Sequence, residues 1–274
     1  MKRRVLSELV VHAPLVLGGL VTLMPLLWML SASFMSPGDA NALPPRFIPN
    51  PFTLEHYVEL LTRLELARNF LNSTIVAGGA TVLSVGIAAL AGYAFAKLQF
   101  RGRDGLFRAV TLALVVPAQV GMLPLFLMLR EIGLVNTYVG VMIPFLASAL
   151  GIFMIRQYVL SLPDDLLHAA RVDGAGELRI FWSIVLPVIR PILVTFATFI
   201  FLSAWNDFMW PLIVLSDSGN YTLPVALANL VGEHVQDTEL MMAGSVLTIL
   251  PALLVFLALQ RAYVRGVLSG SIRG

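Results

Sequence analysis

Few residues of this 274-residue chain have the types and spacing that catalysis or metal binding requires. The four histidines, His12, His56, His168 and His234, lie far apart and lack the spacing typical of metal ligands. The sequence has no cysteine, which excludes disulfides and thiolate metal sites. It also has no H-E-x-x-H, G-x-S-x-G or P-loop motif. We therefore expect no catalytic residue, no metal site, no cofactor bound by this chain and no ATP hydrolysis through a P-loop.

One polar stretch is a candidate for chemistry of another kind, the recognition of a partner. It reads HAARVDGAGELRIFWSIVLP, residues 168–187. Just before it, Ser161 is a candidate helix N-cap with Asp164 three residues on, and that helix is predicted to run to about Val172. Gly174 follows at the position where a helix often ends in the left-handed conformation, which glycine adopts without a Cβ penalty.

A second short helix is predicted after this glycine. Asp173 can cap it, and Leu186–Pro187 is predicted to end it where the next apolar run of the chain begins. Its apolar stripe has the spacing i, i+3, i+4, i+7 and consists of Leu178, Phe181, Trp182 and Val185. Two short helices joined by a sharp turn suit insertion into a groove on another protein. The alternative is that they pack back on the chain itself.

The rest of the chain is too apolar for an aqueous setting. Hydrophobic residues make up 58% of it and charged residues 12%, with a mean hydropathy of +0.86, whereas soluble domains are about 25% charged. Six runs are long enough to cross a bilayer as helices. They are residues about 9–34, 70–95, 106–128, 138–157, 189–214 and 240–262. We therefore predict an all-α integral membrane protein, a single domain over residues 1–274, whose first run is a retained span rather than a signal peptide.

The placement of basic residues orients these spans. All but four of the 18 lysines and arginines fall at the two termini or in the loops after the second and fourth spans. The four exceptions are Arg46, Arg63, Arg68 and Arg130. By the positive-inside rule, both termini and the polar stretch are expected in the cytoplasm.

Three polar residues within the predicted spans are candidates for a translocation pathway. Asp207 is the only acid inside a predicted span, and Asn206 precedes it. Because Asp207 lies near the outer end of span five, a place among the polar groups of the interface is the alternative. Gln119 lies between Pro117 and Pro124, which are expected to kink span three, either to line a pathway or for packing alone.

The polar stretch resembles the EAA loop of the permease subunits of bacterial ABC importers. That pattern is E-A-A, three residues, Gly, nine residues, then I-x-L-P. The matching residues are Ala169, Ala170, Gly174, Ile184, Leu186 and Pro187, while His168 stands where the glutamate is usual. Three more stretches are similar to the carbohydrate importers, the group of the six-span maltose permease. They are AGYAFAKLQFRGR (91–103), AWNDFMWPLIVL (204–215) and QRAYVRGVLSGSIRG (260–274).

The resemblance implies an ATP-driven importer of a sugar or oligosaccharide in the bacterial inner membrane. Its partners would be a second homologous permease, two ATPase subunits that carry ATP and Mg, an extracytoplasmic sugar-binding protein and membrane lipid, with no nucleic acid. Residues about 161–187, here called the coupling loop, would dock on an ATPase. The expected docking residues are Asp164, Asp165, His168, Ala169, Ala170, Asp173, Gly174, Ala175, Phe181, Leu186 and Pro187. Since His168 replaces the usual acid, Asp164, Asp165 or Asp173 is expected to take its place.

The same resemblance assigns the end of the chain to the ATPase interface. The residues concerned are Gln260, Arg261, Gly266, Gly270 and Gly274. The alternative is a frayed, disposable terminus, which is typical of glycine-rich chain ends.

Two other functions remain open. The solute could be glycerol phosphate or a peptide instead of a sugar. An ion-coupled secondary transporter would need a carboxylate near the midplane of the membrane, and Asp207 is the only candidate for it.

Overall fold

The computed structural model describes residues 2–44, 46–62, 65–233 and 237–271, and the side chains of residues 12–44, 46–62, 65–230 and 237–260. Within these ranges the regular structure is helical. The α-helices are α1 (Lys2–Ala32), α2 (Glu55–Thr62), α3 (Leu66–Lys97), α4 (Arg103–Ala113), α5 (Ala118–Glu131), α6 (Tyr138–Leu146), α7 (Ala149–Leu160), α8 (Asp164–Val172), α9 (Glu177–Ile180), α10 (Leu186–Val188), α11 (Arg190–Trp205), α12 (Met209–Val214), α13 (Leu223–Glu233) and α14 (Thr238–Ser271). A π-helical turn, Phe181–Val185, joins α9 to α10.

Three helices are individually long and apolar enough to cross a membrane, namely α1, α3 and α14. Three bent pairs have the same property when each pair is taken as one span. The pair α4–α5 bends by 107°, the pair α6–α7 by 43°, and the stretch from α9 to α11 by 78°. These helices cover the six apolar runs of the sequence, so the described part of the chain has up to six spans.

The third run is broken rather than merely kinked. α4 ends at Ala113, and Pro117 precedes the first residue of α5 with an extended backbone. Proline has no N–H and disfavours a helical residue before it, which explains the break at this position. Pro124, by contrast, lies inside α5 without interrupting it.

The expectation of one helix over residues 189–214 is wrong. α11 ends at Trp205, and α12 starts only at Met209. Two polar side chains satisfy backbone groups at the break. The Asn206 amide nitrogen donates to the Leu202 carbonyl at 2.8 Å, and the Trp210 N–H donates to Asp207 Oδ1 at 3.4 Å. Short polar side chains of this kind compete with the helical backbone for its hydrogen bonds.

The chain forms two compact units. The first comprises residues 1–67 and 226–251, and the second comprises residues 68–225 and 252–274. In the first unit, the buried Glu239 accepts a hydrogen bond from the Ala40 N–H at 2.7 Å. His56 is also buried there, with Nε2 2.9 Å from the Met35 carbonyl oxygen.

The second unit is built on the close approach of α3, α7 and α11. A Cβ atom at Gly92 of α3 would lie 2.7 Å from Ile155 Cγ2 of α7, and one at Gly151 of α7 would overlap the ring of Phe196 of α11. Ser84 and Ala88, which precede Gly92 at four-residue intervals, are fully buried. Small residues at these positions let helices pack closely in lipid, as their spacing in the sequence indicates.

Candidate coupling site

The coupling loop has the predicted shape of two helices joined at a glycine. α8 ends at Val172, and Gly174 has φ +80°. The Gly174 N–H donates to the Arg171 carbonyl at 3.0 Å, and the Ala175 N–H donates to the Ala170 carbonyl at 2.9 Å. This pair of bonds is the Schellman motif, in which a left-handed residue lets the chain reverse over the last turn of a helix. The prediction that Gly174 adopts the left-handed conformation at the end of the first helix is therefore confirmed.

The helix caps of the loop differ from the prediction. Pro163, not Ser161, occupies the N-cap position of α8, and the Ser161 hydroxyl donates to the Tyr158 carbonyl at the end of α7. Asp173 is the C-cap of α8, and the N-cap of α9 is Gly176. The Schellman turn uses Asp173 to end the first helix, so this residue is three positions too early to cap the second.

Pro187 does not end the second helix. The chain passes from α9 through the π-helical turn into α10 and bends only at Ile189, before Arg190–Pro191. Pro187 lies at the start of α10, directly after the π-helical turn, and the helical path continues past it to Val188.

One face of the coupling loop packs against the rest of the second unit, to which the loop itself belongs. The buried residues of the loop are Leu162, Leu167, Ile180, Phe181 and Val185. They belong to one hydrophobic cluster with Tyr93 of α3 and with Ile155 and Val159 of α7. Ala170 and Ala175, which flank the Schellman turn, are partly buried against the same cluster. Phe181 is therefore a packing residue of the loop rather than part of its surface, and its ring lies 5.6 Å from that of Tyr93.

Two polar side chains at the end of α3 hold the coupling loop. The Tyr93 hydroxyl donates to Glu177 Oε2 at 2.6 Å, and Arg171 Nε donates to Glu177 Oε1 at 2.8 Å. Lys97 Nζ donates to the Leu162 carbonyl at 2.7 Å and to Asp164 Oδ1 at 2.6 Å. The first residue of α8 and the first residue of α9 are thus both bound to α3.

Sequence reasoning missed these contacts. Tyr93 and Lys97 lie four positions apart, which places them on one face of α3. Both residues lie in the stretch AGYAFAKLQFRGR, which resembles sugar permeases. Its two polar side chains near the end of an apolar helix were the signal available.

The opposite face of the coupling loop combines apolar and charged groups on its surface. Val172 is 87% exposed, Leu178 71% and Trp182 60%, and Leu166 is exposed as well. Asp165, His168, Ala169 and Asp173 are also exposed. Clustered apolar side chains with a charged surround are typical of a surface that binds another protein.

The acids expected to replace the missing glutamate are not equivalent. Asp164 is engaged by Lys97, whose hydrogen bond and positive charge lower the pKa of the Asp164 carboxyl below its ordinary value of 3.8. His168, one turn further along α8, lowers this pKa as well, by a smaller amount. Asp165 and Asp173 are exposed as Asp164 is, but neither is paired with Lys97.

The remaining predicted residues lie elsewhere in the chain. Gln119 is exposed in the first turn of α5, directly after the 107° bend, and Asn206 and Asp207 lie in the break after α11. The three pathway candidates thus share a position at a helix break, and Asp207 is not inside a helix. Gln260 is exposed in α14, which continues through Ser271. Arg261, Gly266 and Gly270 lie on this helix, but the surroundings of these three residues, and all of Gly274, are outside what the structure describes.

Apolar spans joined to a charged helical loop with an exposed apolar face are the features expected of the membrane component of a transport system. The chain belongs to the family of binding-protein-dependent transport system inner membrane components, whose family model matches residues 84–269.

Relatives and solved structures agree with this assignment. The chain is 36% identical over 257 residues to the arabinooligosaccharides transport system permease protein of Halalkalibacterium halodurans, covering 93% of this chain and 92% of the relative. It is 31% identical over 264 residues to the sn-glycerol-3-phosphate transport system permease protein of Yersinia pestis, with 93% and 94% covered. The crystal structure of a bacterial ABC transporter that imports the polysaccharide alginate has a chain with a TM-score of 0.84 and 25% identity. That match covers 95% of this chain and 98% of the other.

Proposed function

We propose that this chain is the permease subunit of an ATP-driven importer that moves a sugar or oligosaccharide across the bacterial inner membrane. The observation that carries the proposal is the exposed face of the coupling loop around Val172, Leu178 and Trp182. The carbohydrate class of solute is supported by the relative that carries arabinooligosaccharides and by the alginate importer.

The coupling loop would dock in a cleft on an ATPase subunit. α8 presents its exposed residues to the cleft, and the Schellman turn sets the direction of α9. Exposed apolar side chains supply the buried centre of such an interface, and Asp165 and Asp173 supply charge at its edge. His168 would lie in this interface in place of an acid, so the cleft must accept an imidazole there.

The family supports a proposal for the other partners. A second, homologous permease would complete the membrane component, a second ATPase would bind that permease, and a sugar-binding protein would deliver the solute from outside. ATP binding would close the ATPase pair and turn the spans from inward-facing to outward-facing. The end of α14 and the residues after it would contact the ATPases, since both termini are expected in the cytoplasm.

A second candidate solute is glycerol phosphate, because the Yersinia pestis permease for that compound covers nearly the whole chain at 31% identity. A phosphate ester requires a cationic site along its path. Uptake of labelled sugars and of labelled glycerol phosphate by the assembled transporter, with its own binding protein, separates the two solutes.

The proposed docking surface is tested by charge substitutions on two of its apolar residues. Val172→Asp and Leu178→Asp should each lower the affinity of the permease pair for the ATPase by about 30-fold, which corresponds to a central interface residue contributing about 2 kcal/mol. The matched control is Leu43→Asp, since Leu43 is 92% exposed and lies outside the coupling loop. Unchanged ATPase affinity in both loop variants would contradict the proposal.

A further inference from the structure

We infer that the end of α3, through Tyr93 and Lys97, receives the movement of the coupling loop, so that the loop and α3 move as one body during transport. The two residues are positioning residues, and the inference rests on the proposed coupling function. Both lie in the second unit, as does the whole coupling loop.

The first argument is that the loop is a rigid piece. Arg171 on α8 holds Glu177 on α9 through two hydrogen bonds, at 2.8 and 3.4 Å. The Schellman turn fixes the backbone between the two residues. A force applied to α8 by a partner is therefore transmitted to α9 without change in the angle between them.

The second argument is that α3 holds this piece at two points. Tyr93 holds Glu177, the first residue of α9, and Lys97 holds Asp164, the first residue of α8. The two α3 residues are one helical turn apart, about 6 Å along the axis. Two attachments at separate points resist both sliding and rotation, whereas a single hydrogen bond would act as a pivot.

The third argument is the burial of the two donors. The Lys97 side chain is only 5% exposed although its partner Asp164 is 70% exposed, and Tyr93 is buried as well. An ammonium group that has lost most of its water depends on its two protein acceptors, because leaving them would expose an uncompensated charge to the protein interior. These bonds are therefore kept when the loop moves.

The path along the backbone into α11 is weaker. From α9 the chain passes through the five-residue π-helical turn and the three-residue α10, and then bends by 78° before α11. π-helical turns are frequent at functional sites and are a known cause of sharp kinks in helices. α3, by contrast, is an unbroken helix of 32 residues that packs against α7 through Gly92.

Distance measurements test this inference directly. The chain has no cysteine, so pairs of spin labels can be placed at Arg179→Cys with Leu90→Cys on α3, and at Arg179→Cys with Phe199→Cys on α11. All three positions are exposed, and Arg179 is not among the proposed docking residues. In the assembled transporter, ATP should leave the distance to α3 unchanged and alter the distance to α11. A change in the distance to α3 as large as that to α11, or a change in the distance to α3 alone, would overturn the inference.

Substitution of Lys97 gives a second test. Lys97→Met should leave ATPase association unchanged and lower the sugar imported per ATP hydrolysed by about tenfold, and Lys97→Arg should restore most of the transport. Arg108→Met is the control, because it removes an exposed positive charge from the neighbouring α4. Full coupling in Lys97→Met would overturn the inference. Failure of the unsubstituted chain to bind the ATPase would instead contradict the proposed function, and the inference with it.

Discussion

Lys97 Nζ lies 2.6 Å from Asp164 Oδ1, although 67 positions separate the two residues in the sequence. The contact joins the end of a long apolar helix to the first residue of the coupling loop. With the bond from Tyr93 to Glu177, it holds the packed face of the loop to α3. The opposite face, here called the outer face and formed around Val172, Leu178 and Trp182, stays exposed. The loop is thus both firmly attached to a span and available to a partner.

The contribution of the Lys97–Asp164 ion pair to stability should depend on pH only in the acid range. The pKa of Asp164 is below its ordinary value of 3.8, chiefly because of the hydrogen bond from Lys97 and then because of its charge. A carboxyl whose pKa is lowered by folding contributes stability above its ordinary pKa and loses it as pH falls through the lowered value. Asp164→Asn should therefore lower the melting temperature near neutral pH, and the difference from the unsubstituted chain should vanish in strong acid. A difference that persists unchanged in acid would exclude ionisation of Asp164 as its cause.

Gly174 should be sensitive to substitution for a backbone reason alone. Its φ is +80°, and a Cβ atom there would meet nothing within 4 Å. Gly174→Val should therefore cost roughly 1–2 kcal/mol, the penalty for an L-residue in the left-handed region. It should also misdirect α9, so that sugar transport and stimulation of the ATPase fall together while membrane insertion survives.

Gly176 provides the matched control for this substitution. It too has open space around a Cβ position, but its φ is −72°. Gly176→Ala should cost less than Gly174→Ala in both unfolding and transport, because it replaces an N-cap residue but strains no backbone dihedral. Equal effects of Gly174→Ala and Gly176→Ala would show that backbone conformation is not the cause.

Two glycines within α3 should behave oppositely because their surroundings differ. At Gly92 a Cβ atom would lie 2.7 Å from Ile155 Cγ2 and 3.0 Å from the Arg156 backbone nitrogen, whereas at Gly86 it would meet nothing within 4 Å. Gly92→Ala should destabilise the chain by about 1–3 kcal/mol through overpacking. Gly86→Ala should be neutral or slightly stabilising, since alanine is the better helix former. Unfolding in detergent compares the two, and similar values for both would contradict the packing of α3 on α7.

Much of the fold is predictable from the sequence, for reasons that particular residues show. Runs of apolar residues long enough to span a bilayer indicate α1, α3 and α14, and the glycine at 174 indicates the turn in the coupling loop. The helix breaks are harder to place, because Pro117 interrupts its run whereas Pro124 does not. Whether proline breaks a helix in lipid depends on neighbouring groups that satisfy the freed backbone.

The attachment of the coupling loop to α3 could not be predicted from the sequence. Tyr93 and Glu177 are 84 positions apart, and Lys97 and Asp164 are 67 apart. Helical periodicity places Tyr93 and Lys97 on one face but does not identify what that face meets. The same limit applied to Phe181, which was expected among the docking residues and is buried in the cluster beneath them.

The end of the chain provides a separate test of the proposed ATPase contact. α14 continues as a helix through Ser271, beyond the apolar run that ends near residue 262. Deletion of residues 268–274 should leave assembly intact and lower the sugar-stimulated ATPase rate in reconstituted membranes by severalfold. A full rate with unchanged coupling would show that the terminus is disposable.

The central claim is that the outer face of the coupling loop contacts an ATPase, and single-cysteine photocrosslinking tests it most directly. A benzophenone label would be attached at Val172→Cys, Leu178→Cys or Trp182→Cys on the outer face, or at Ile180→Cys or Val185→Cys on the buried face, in a chain that has no other cysteine. We predict that the three outer positions crosslink to the ATPase subunit in the assembled transporter and that the two buried positions crosslink within the permease. Crosslinks from the outer positions to lipid or to the permease alone, with none to the ATPase, would contradict the account.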